Sequence, residues 1–364
     1  MDKKIHFPNL NGLRFFAAAV VIIHHIEQIK DVFGLHSYWN NPFVHEVGKL
    51  GVVLFFSLSG FLITYLLLNE RDFNGSINLK NFYLRRVFRI WPLYYLIIIL
   101  AFFVLPNFSI FNFPGKTINY SDFPLKELIG YIIMLPNLVL SNFSVIPYAS
   151  QAWSIGTEEQ FYLIWPLIFI FLVRKEFITM VLIIFGYIFI RRFLVEYTPS
   201  PTIFKISILS FWDTFNIDCM AIGGLFAYVQ YYKLKISNFL KNDYLFIVTV
   251  LLTIFLVVIG ENFGTLNYEI YSGLFSIIIL NLACNPSLSK VLEYKPIDYL
   301  GSISYGLYMY HVIGIVPLIY LFKKYNIHSS VLLYILVFAF TIILAHISYK
   351  YYEKPFLKLK AKAS

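Results

Sequence analysis

Charged residues are scarce in this chain, because only 13% of its 364 residues are Asp, Glu, Lys or Arg. A soluble domain usually carries about 25%, so there are too few charges to cover a water-soluble globule of this size. Hydrophobic residues make up 59% of the chain, and the mean hydropathy is +0.70. Phe (38) and Tyr (28) are abundant, as expected at membrane interfaces. The composition excludes a soluble protein and predicts an all-α polytopic membrane protein.

Cysteine is almost absent, since Cys219 and Cys284 are the only two. Both lie in apolar stretches, so the sequence has neither a disulfide framework nor a metal-binding motif, and we expect no metal. A signal-peptide cleavage site is also lacking after the apolar stretch 15–23, which predicts a retained first helix. The formal net charge of +9 is typical of basic cytoplasmic loops, and we expect no nucleic-acid partner.

Ten apolar runs approach the ~20 residues that a helix needs to cross a bilayer. They are 11–29, 49–68, 91–106, 155–173, 177–197, 213–232, 244–260, 267–284, 299–321 and 330–351. An eleventh run, 127–140, is short and contains Pro136-Asn137 near its end. We interpret it as a re-entrant or interfacial segment within 107–154, a predicted extracytoplasmic cap or re-entrant region of a single transmembrane domain, 1–364.

The basic residues support ten spans rather than eleven. With the N-terminus in the cytoplasm, 19 Lys and Arg lie inside, 9 lie outside and Arg14 lies in the first helix, which accounts for all 29. An eleventh span would place the C-terminal lysines outside, against the positive-inside rule. We therefore predict about ten helices around a central polar cavity, in the cytoplasmic membrane, with both termini in the cytoplasm.

Two ionisable residues share one face of the first helix. Arg14 and His25 are eleven residues apart, which is within roughly 20° of three full turns and spans about 16 Å along the axis. Ionisable residues within a membrane are costly and are functional-site hypotheses by default. The alternatives are that Arg14 extends to the cytoplasmic interface and that His25 bonds a carbonyl group. His24 points about 100° away and is interpreted as a packing residue.

A basic cluster precedes the third span. It contains Arg85, Arg86 and Arg89. Arg86 and Arg89 are spaced i, i+3, so both project from one helix face. Guanidinium groups bind phosphate oxygens well. Arg14 approaches from the same side of the membrane, so the three arginines are predicted to hold a polyanionic donor. The alternative is a simple positive-inside anchor.

Two adjacent carboxylates, Glu158 and Glu159, lie near the start of a hydrophobic run. Ser154 and Thr157 are candidates to cap this helix. Adjacent residues point to different faces, so one carboxylate can face the interior and orient the imidazole of His25. We assign that role to Glu159.

Other polar residues are predicted to line the substrate cavity. They are Trp153, Ser154, Glu158, Asp218 and His311. Glu353, just after the last span, is interpreted as one half of an ion pair at a helix end.

Six motifs occur in order along the chain. They are Asn11-Gly12-Leu13-Arg14 with His25, Phe55-Phe56-Ser57-Leu58-Ser59-Gly60-Phe61, Arg86-Val87-Phe88-Arg89 with Trp91-Pro92, Trp153-Ser154 with Glu158-Glu159-Gln160-Phe161-Tyr162, Ser304-Tyr305-Gly306-Leu307-Tyr308 with His311, and Tyr352-Glu353-Lys354-Pro355. With these motifs the chain resembles the acyltransferase-3 family of membrane acyltransferases. The resemblance implies that an acyl group, usually acetyl from acetyl-CoA, passes from the cytoplasm to an outer acceptor. It also implies that Arg14, Arg86 and Arg89 hold the donor and that His25 is central to transfer.

The sequence departs from the family in two respects. Asn216 stands where relatives often have an arginine two residues before Asp218. Many relatives also carry an extracytoplasmic hydrolase-like domain, of the SGNH type, and this chain ends soon after its last span. We therefore expect it to act alone or with separate partner proteins of envelope biosynthesis.

The predicted reaction is acyl transfer from acyl-CoA to a hydroxyl of an envelope glycan, with His25 as the base and acyl-CoA as a substrate rather than a resident cofactor. Direct attack and a covalent acyl-histidine both remain open, as do acetyl and longer acyl groups and the oligomeric state. The rival function is a transporter or flippase, although the chain shows no internal repeat. A sensor or assembly partner without catalysis is a third alternative.

Overall fold

The computed structural model describes residues 6–115, 123–196 and 203–362, and this part of the chain is helical without a β-strand. Sixteen α-helices are present in it, and two of them, α3 and α15, continue as π-helical turns. The helices are α1 (Leu10–Val32), α2 (Pro42–Asn74), α3 (Leu79–Ile99), α4 (Leu125–Ile132), α5 (Pro136–Asn142), α6 (Trp153–Phe171), α7 (Glu176–Glu196), α8 (Ile203–Phe215), α9 (Ile217–Tyr231), α10 (Lys235–Leu240), α11 (Asp243–Ile259), α12 (Asn267–Cys284), α13 (Lys295–Ser302), α14 (Ser304–Lys324), α15 (Ser330–Ile347) and α16 (Lys354–Lys362).

Seven helical segments in the described residues are long and apolar enough to cross a membrane. They are Leu10–Val32, Pro42–Asn74, Leu79–Asn107, Glu176–Glu196, Gly264–Cys284, Ser304–Lys324 and Ser330–Leu359. Each overlaps one of the ten predicted spans. The class, an all-α multi-pass membrane protein, is therefore confirmed, whereas the number ten stays a prediction.

Three predicted spans are not among these seven segments, and their helices differ in length and continuity. Run 155–173 lies in the 19-residue helix α6, and run 244–260 forms the apolar 17-residue helix α11. The prediction of one continuous helix over 213–232 is wrong, because Asn216 separates α8 from α9. Asn216 has a left-handed backbone (φ 32°), a conformation that Asn tolerates better than most residues. Its side-chain amide donates to the carbonyl of Asp213 at 2.9 Å.

The short run 127–140 contains two helices, α4 of 8 residues and α5 of 7 residues. Met134 lies between them with φ 60°, and Pro136 occupies the start of α5, where its missing N–H costs nothing. Neither helix is long enough to cross a bilayer.

Helices α2 and α9 pack with their backbones in contact. A Cβ added at Gly60 would lie 1.8 Å from the carbonyl oxygen of Met220, and one added at Gly223 would lie 2.1 Å from that of Ser57. The Ser57 hydroxyl also meets that of Ser272 on α12 at 2.8 Å. Only glycine fits at both contacts, so the motif around Gly60 is explained by close helix packing.

The start of α1 is fixed to the segment around α13. Asn9 has a left-handed backbone (φ 64°), and its side-chain amide donates to the carbonyls of Leu282 and Leu288. Its side-chain oxygen accepts from the Leu292 N–H at 2.7 Å. Because these bonds fix the first turn, the position of Arg14 on α1 is set by residues far away in the sequence.

Candidate functional site

Arg14 is held by a chain of polar side chains at the start of α1. Its Nη1 donates to Oδ1 of Asn11 at 3.1 Å, and Nδ2 of Asn11 donates to Oδ1 of Asp298 at 2.9 Å. Gly301 on α13 lies so close that an added Cβ would be 1.9 Å from the Asn11 carbonyl oxygen. The Asn11-Gly12-Leu13-Arg14 motif therefore positions the guanidinium through Asn11.

Arg86 and Arg89 approach Arg14 from α3. The Arg86 guanidinium lies over the ring of Phe82 at 4.4 Å and that of Tyr162 at 5.8 Å. Arg89 is within electrostatic range of both Arg14 and Arg86. The structure thus brings the three predicted arginines into one arginine cluster, formed by α1 and α3.

The arginine cluster has many unused hydrogen-bond donors. Each guanidinium carries five N–H donors, yet the bond from Arg14 to Asn11 is the single hydrogen bond that the three groups make within the described residues. The guanidinium nitrogens that make no hydrogen bond are not fully buried. They therefore retain solvent-accessible surface. Converging cations with free, accessible donors are the arrangement that binds a polyanion.

Glu158 and Glu159 both lie near the arginine cluster but face different helices. Glu158 accepts from Ser59 at 2.8 Å and from Tyr162 at 3.0 Å, and it is within electrostatic range of Arg14. One oxygen of Glu159 accepts from Nε1 of Trp91 at 3.0 Å, and the other is buried without a partner.

The predicted pairing of Glu159 with His25 is absent. The carboxylates lie at the level of Arg14, and the unbroken helix α1 places His25 about 16 Å farther along its axis. The predicted caps Ser154 and Thr157 are also wrong, because α6 begins at Trp153 and both residues lie inside it, while the N-cap position is Ala152. Thr157 instead bonds the carbonyl of Thr214 at 2.9 Å.

His25 lies against a second imidazole that sequence reasoning treated only as cavity lining. The ring centroids of His25 and His311 are 4.7 Å apart, and these two residues form the histidine pair. Nδ1 of His25 donates to the Val21 carbonyl at 2.9 Å, as the structural alternative proposed, and this leaves Nε2 unused. Nδ1 of His311 bonds the Tyr308 carbonyl, and its buried Nε2 has no partner.

His24 is a packing residue, as predicted, although its ring also touches the histidine pair. Its Nδ1 bonds the Val44 carbonyl at 2.8 Å, and its ring packs against Trp39 with centroids 4.9 Å apart. The rings of His24 and His25 are likewise 4.9 Å apart.

The start of α6 is joined to α14 beside the histidine pair. The Ser154 hydroxyl meets the Tyr308 hydroxyl at 2.8 Å, and Tyr308 donates to the carbonyl of Gln151. The Gln151 amide in turn donates to the carbonyl of Met309 at 2.9 Å. Sequence reasoning missed Gln151, although a polar residue two positions before Trp153 was a usable signal. Trp153 itself lies under Nζ of Lys49, 4.2 Å from the ring.

Asp218 belongs to a different part of the bundle. It is fully buried on α9, its carboxyl oxygens have no hydrogen-bond partner, and its electrostatic neighbour is Glu269 of α12. Glu269 lies 4.0 Å from Arg191. Among the described residues Asp218 contacts neither the arginine cluster nor the histidine pair, and its place in the cavity lining stays a prediction.

Glu353 adjoins the arginine cluster. Its carboxylate accepts from the Ser348 hydroxyl at 2.9 Å and is within electrostatic range of Arg89. It makes no ion pair within 4 Å in the described chain, so the predicted helix-end ion pair is not found among these residues. No group of three or more His, Cys, Asp or Glu side chains in the described ranges is arranged to hold a metal.

Comparison with known proteins shows the family to which the chain belongs. The profile of an acyltransferase domain, of the acyltransferase-3 type, matches residues 7–350. The chain is 29% identical to an O-acetyltransferase, OatA, of Staphylococcus aureus (strain NCTC 8325 / PS 47), over 98% of this chain and 58% of that protein. It is 25% identical to a peptidoglycan O-acetyltransferase, OatA, of Listeria monocytogenes serovar 1/2a, over 97% of this chain and 56% of that protein.

The chain therefore spans a little over half the length of these relatives. No solved structure matches it significantly. Because the profile covers nearly all of the chain, from residue 7 to residue 350, the protein belongs to the acyltransferase-3 family.

Proposed function

We propose that the protein is a membrane O-acetyltransferase that moves an acetyl group from cytoplasmic acetyl-CoA to a hydroxyl of an envelope glycan. The observation that carries the proposal is the placement of Arg14, a member of the arginine cluster, and His25 on one face of α1, about 16 Å apart along the helix. The names of the relatives, one of them a peptidoglycan O-acetyltransferase, support the acyl group and the acceptor class.

The arginine cluster supplies the donor site. Phosphate groups of CoA bind Arg14, Arg86 and Arg89, which have the free N–H donors that phosphate oxygens need. The pantetheine arm then extends along α1 and carries the thioester toward His25. A neutral or cationic solute would gain nothing from three unpaired guanidiniums, so this feature favours acyl transfer over transport.

His25 supplies the chemistry. Because Nδ1 donates to the Val21 carbonyl, Nε2 carries the lone pair and acts as the general base. It removes the proton from the acceptor hydroxyl, and the oxygen attacks the thioester carbon. A C–O bond forms, the C–S bond breaks, and the proton passes to the CoA sulfur. In the acyl-histidine variant the same Nε2 attacks the thioester first.

The charge distribution supports the orientation. With the ten predicted spans and both termini in the cytoplasm, 19 of the 29 basic residues lie on the cytoplasmic side, in accord with the positive-inside rule. The arginine cluster then opens toward cytoplasmic acyl-CoA, and His25 lies toward the outer side, where the glycan is.

The test is a transfer assay with the full chain in proteoliposomes. Acetyl-CoA is supplied on one side and soluble peptidoglycan fragments on the other, and mass spectrometry measures acetylated glycan while free CoA is titrated. The expected result is equal amounts of CoA and acetylated glycan. Uptake of labelled glycan without any consumption of acetyl-CoA would establish a transporter instead.

A further inference from the structure

The proposed base lacks the carboxylate partner that histidine bases often have. In a Ser-His-Asp triad the carboxylate stabilises the imidazolium that forms when the base takes a proton. Here Nδ1 of His25 bonds only the Val21 carbonyl, and Glu159 is engaged with Trp91. The titratable groups that influence His25 are two other imidazoles, His311 on α14 and His24 on α1.

An imidazolium at this position therefore needs another source of stabilisation. An unpaired charge inside a protein is strongly unfavourable, and the carbonyl of Val21 satisfies only one of the two N–H groups that a protonated His25 would have. The second N–H, at Nε2, requires an acceptor after the substrate hydroxyl has lost its proton.

His311 has the matching free acceptor. Its Nδ1 bonds the Tyr308 carbonyl, and a carbonyl only accepts, so Nδ1 carries the hydrogen and Nε2 the lone pair. That Nε2 is buried and has no hydrogen-bond partner among the described residues. A buried polar atom without a hydrogen bond is costly and calls for an explanation.

The two rings are close enough to interact. Their centroids are 4.7 Å apart with an interplanar angle of 57°, so the ring edges lie within reach of the roughly 2.9 Å that a hydrogen bond between two nitrogens spans. The position of His311 is itself fixed, because its neighbour Tyr308 bonds Gln151 and Ser154 at the start of α6.

We propose that His311 is a positioning residue that accepts a hydrogen bond from the protonated Nε2 of His25 during acyl transfer. This inference rests on the proposed function and adds a role that Glu159 was expected to fill. The acceptor hydroxyl gives its proton to His25, the N–H···N bond to His311 holds it, and the CoA thiolate then takes it. Both imidazoles thereby return to their starting tautomers.

The test compares two substitutions at His311 and one at His24. His311→Phe keeps a planar ring but removes the acceptor, whereas His311→Gln keeps an amide oxygen that accepts. The matched control is His24→Gln, since His24 also touches His25 but uses its Nδ1 on the Val44 carbonyl. For each variant in proteoliposomes, kcat and the KM for acetyl-CoA are measured, and CoA binding is measured separately.

We expect His311→Phe to lower kcat by about 10- to 100-fold, the effect of losing one hydrogen bond to a charged group, with the KM for acetyl-CoA and CoA binding unchanged. His311→Gln should recover most of kcat, and His24→Gln should behave as the parent protein.

Three outcomes overturn the proposal, and they are distinguishable. Unchanged kcat in His311→Phe shows that the acceptor is not used. Equal losses in His311→Phe and His311→Gln, or loss of CoA binding, show a structural role. If the parent protein binds CoA but acetylates no glycan, the proposed function itself has failed and this inference fails with it.

Discussion

The arginine cluster and the histidine pair lie at two levels along α1, which contributes Arg14 to one and His25 to the other, and they differ in how their polar atoms are satisfied. Three guanidiniums share one hydrogen bond in the described chain, which leaves many donors for a ligand. In the histidine pair each Nδ1 is bonded to a backbone carbonyl, and only the two Nε2 atoms are unused.

This difference separates binding from chemistry. A cluster with many accessible donors suits a large anion held by several bonds at once, whereas a pair with one lone pair on each ring suits the movement of a single proton. Substitutions at the two levels should therefore change different kinetic constants, and the following predictions test that separation.

The largest effect is expected for His25→Ala. Removal of a general base typically lowers a rate by about 10²- to 10⁴-fold, so kcat should fall by that amount. The KM for acetyl-CoA should stay unchanged, because the arginine cluster is intact. Steady-state kinetics in proteoliposomes measure both constants, and a raised KM with normal kcat would refute the separation.

A smaller effect, on the other constant, is expected for Arg86→Met. Loss of charge-assisted hydrogen bonds to phosphate should raise the KM for acetyl-CoA by about 10- to 100-fold and leave kcat nearly unchanged. The matched control is Arg85→Met, since Arg85 pairs with Glu70 at 3.1 Å. Equal effects of the two substitutions would mean that Arg86 is only a membrane anchor.

A weaker effect on binding is expected for Asn11→Ala. This change removes the bridge from Asp298 to Arg14 but keeps the guanidinium and its bonds to phosphate, so the KM should rise by only about 3- to 10-fold, a cost of roughly 0.7 to 1.4 kcal/mol. The control is Asn142→Ala, an exposed asparagine that bonds the Leu138 carbonyl. A normal KM in Asn11→Ala would show that Arg14 needs no such support.

The smallest effect is expected for Glu159→Gln. The amide oxygen of glutamine can still accept from Trp91, so kcat should change by less than about threefold, within the range of one hydrogen bond. Circular dichroism checks that the helices are retained. A loss as large as that of His25→Ala would restore Glu159 to the catalytic role that its contacts do not support.

Features that depend on one helix were predictable from the sequence. The shared face of Arg14 and His25 required only an unbroken helical period, and α1 is unbroken. The exclusion of 127–140 as a span followed from its length and from Pro136, and the structure shows two short helices there.

Features that depend on two distant helices were not predictable. The ring contact of His25 with His311 joins α1 to α14, and nothing in either segment specifies the other. The partner of Glu159 was misassigned because the helical period gives only the direction of a side chain around its helix. It does not give the depth in the membrane at which residues of other helices lie. The break at Asn216 was hidden by the apolar residues on both sides of it.

The reciprocal glycine contacts of α2 and α9 have a consequence for how substrates can enter. A carbonyl of α9 packs against Gly60 of α2, and a carbonyl of α2 packs against Gly223 of α9. The two helices are therefore in backbone contact at two points, one glycine coming from each helix. If α2 slid along α9 by one helical turn, about 5.4 Å, the glycines would no longer face these carbonyls, and the backbones would clash at both contacts. The α2–α9 pair therefore moves as one unit, and neither acyl-CoA nor glycan can pass between these two helices.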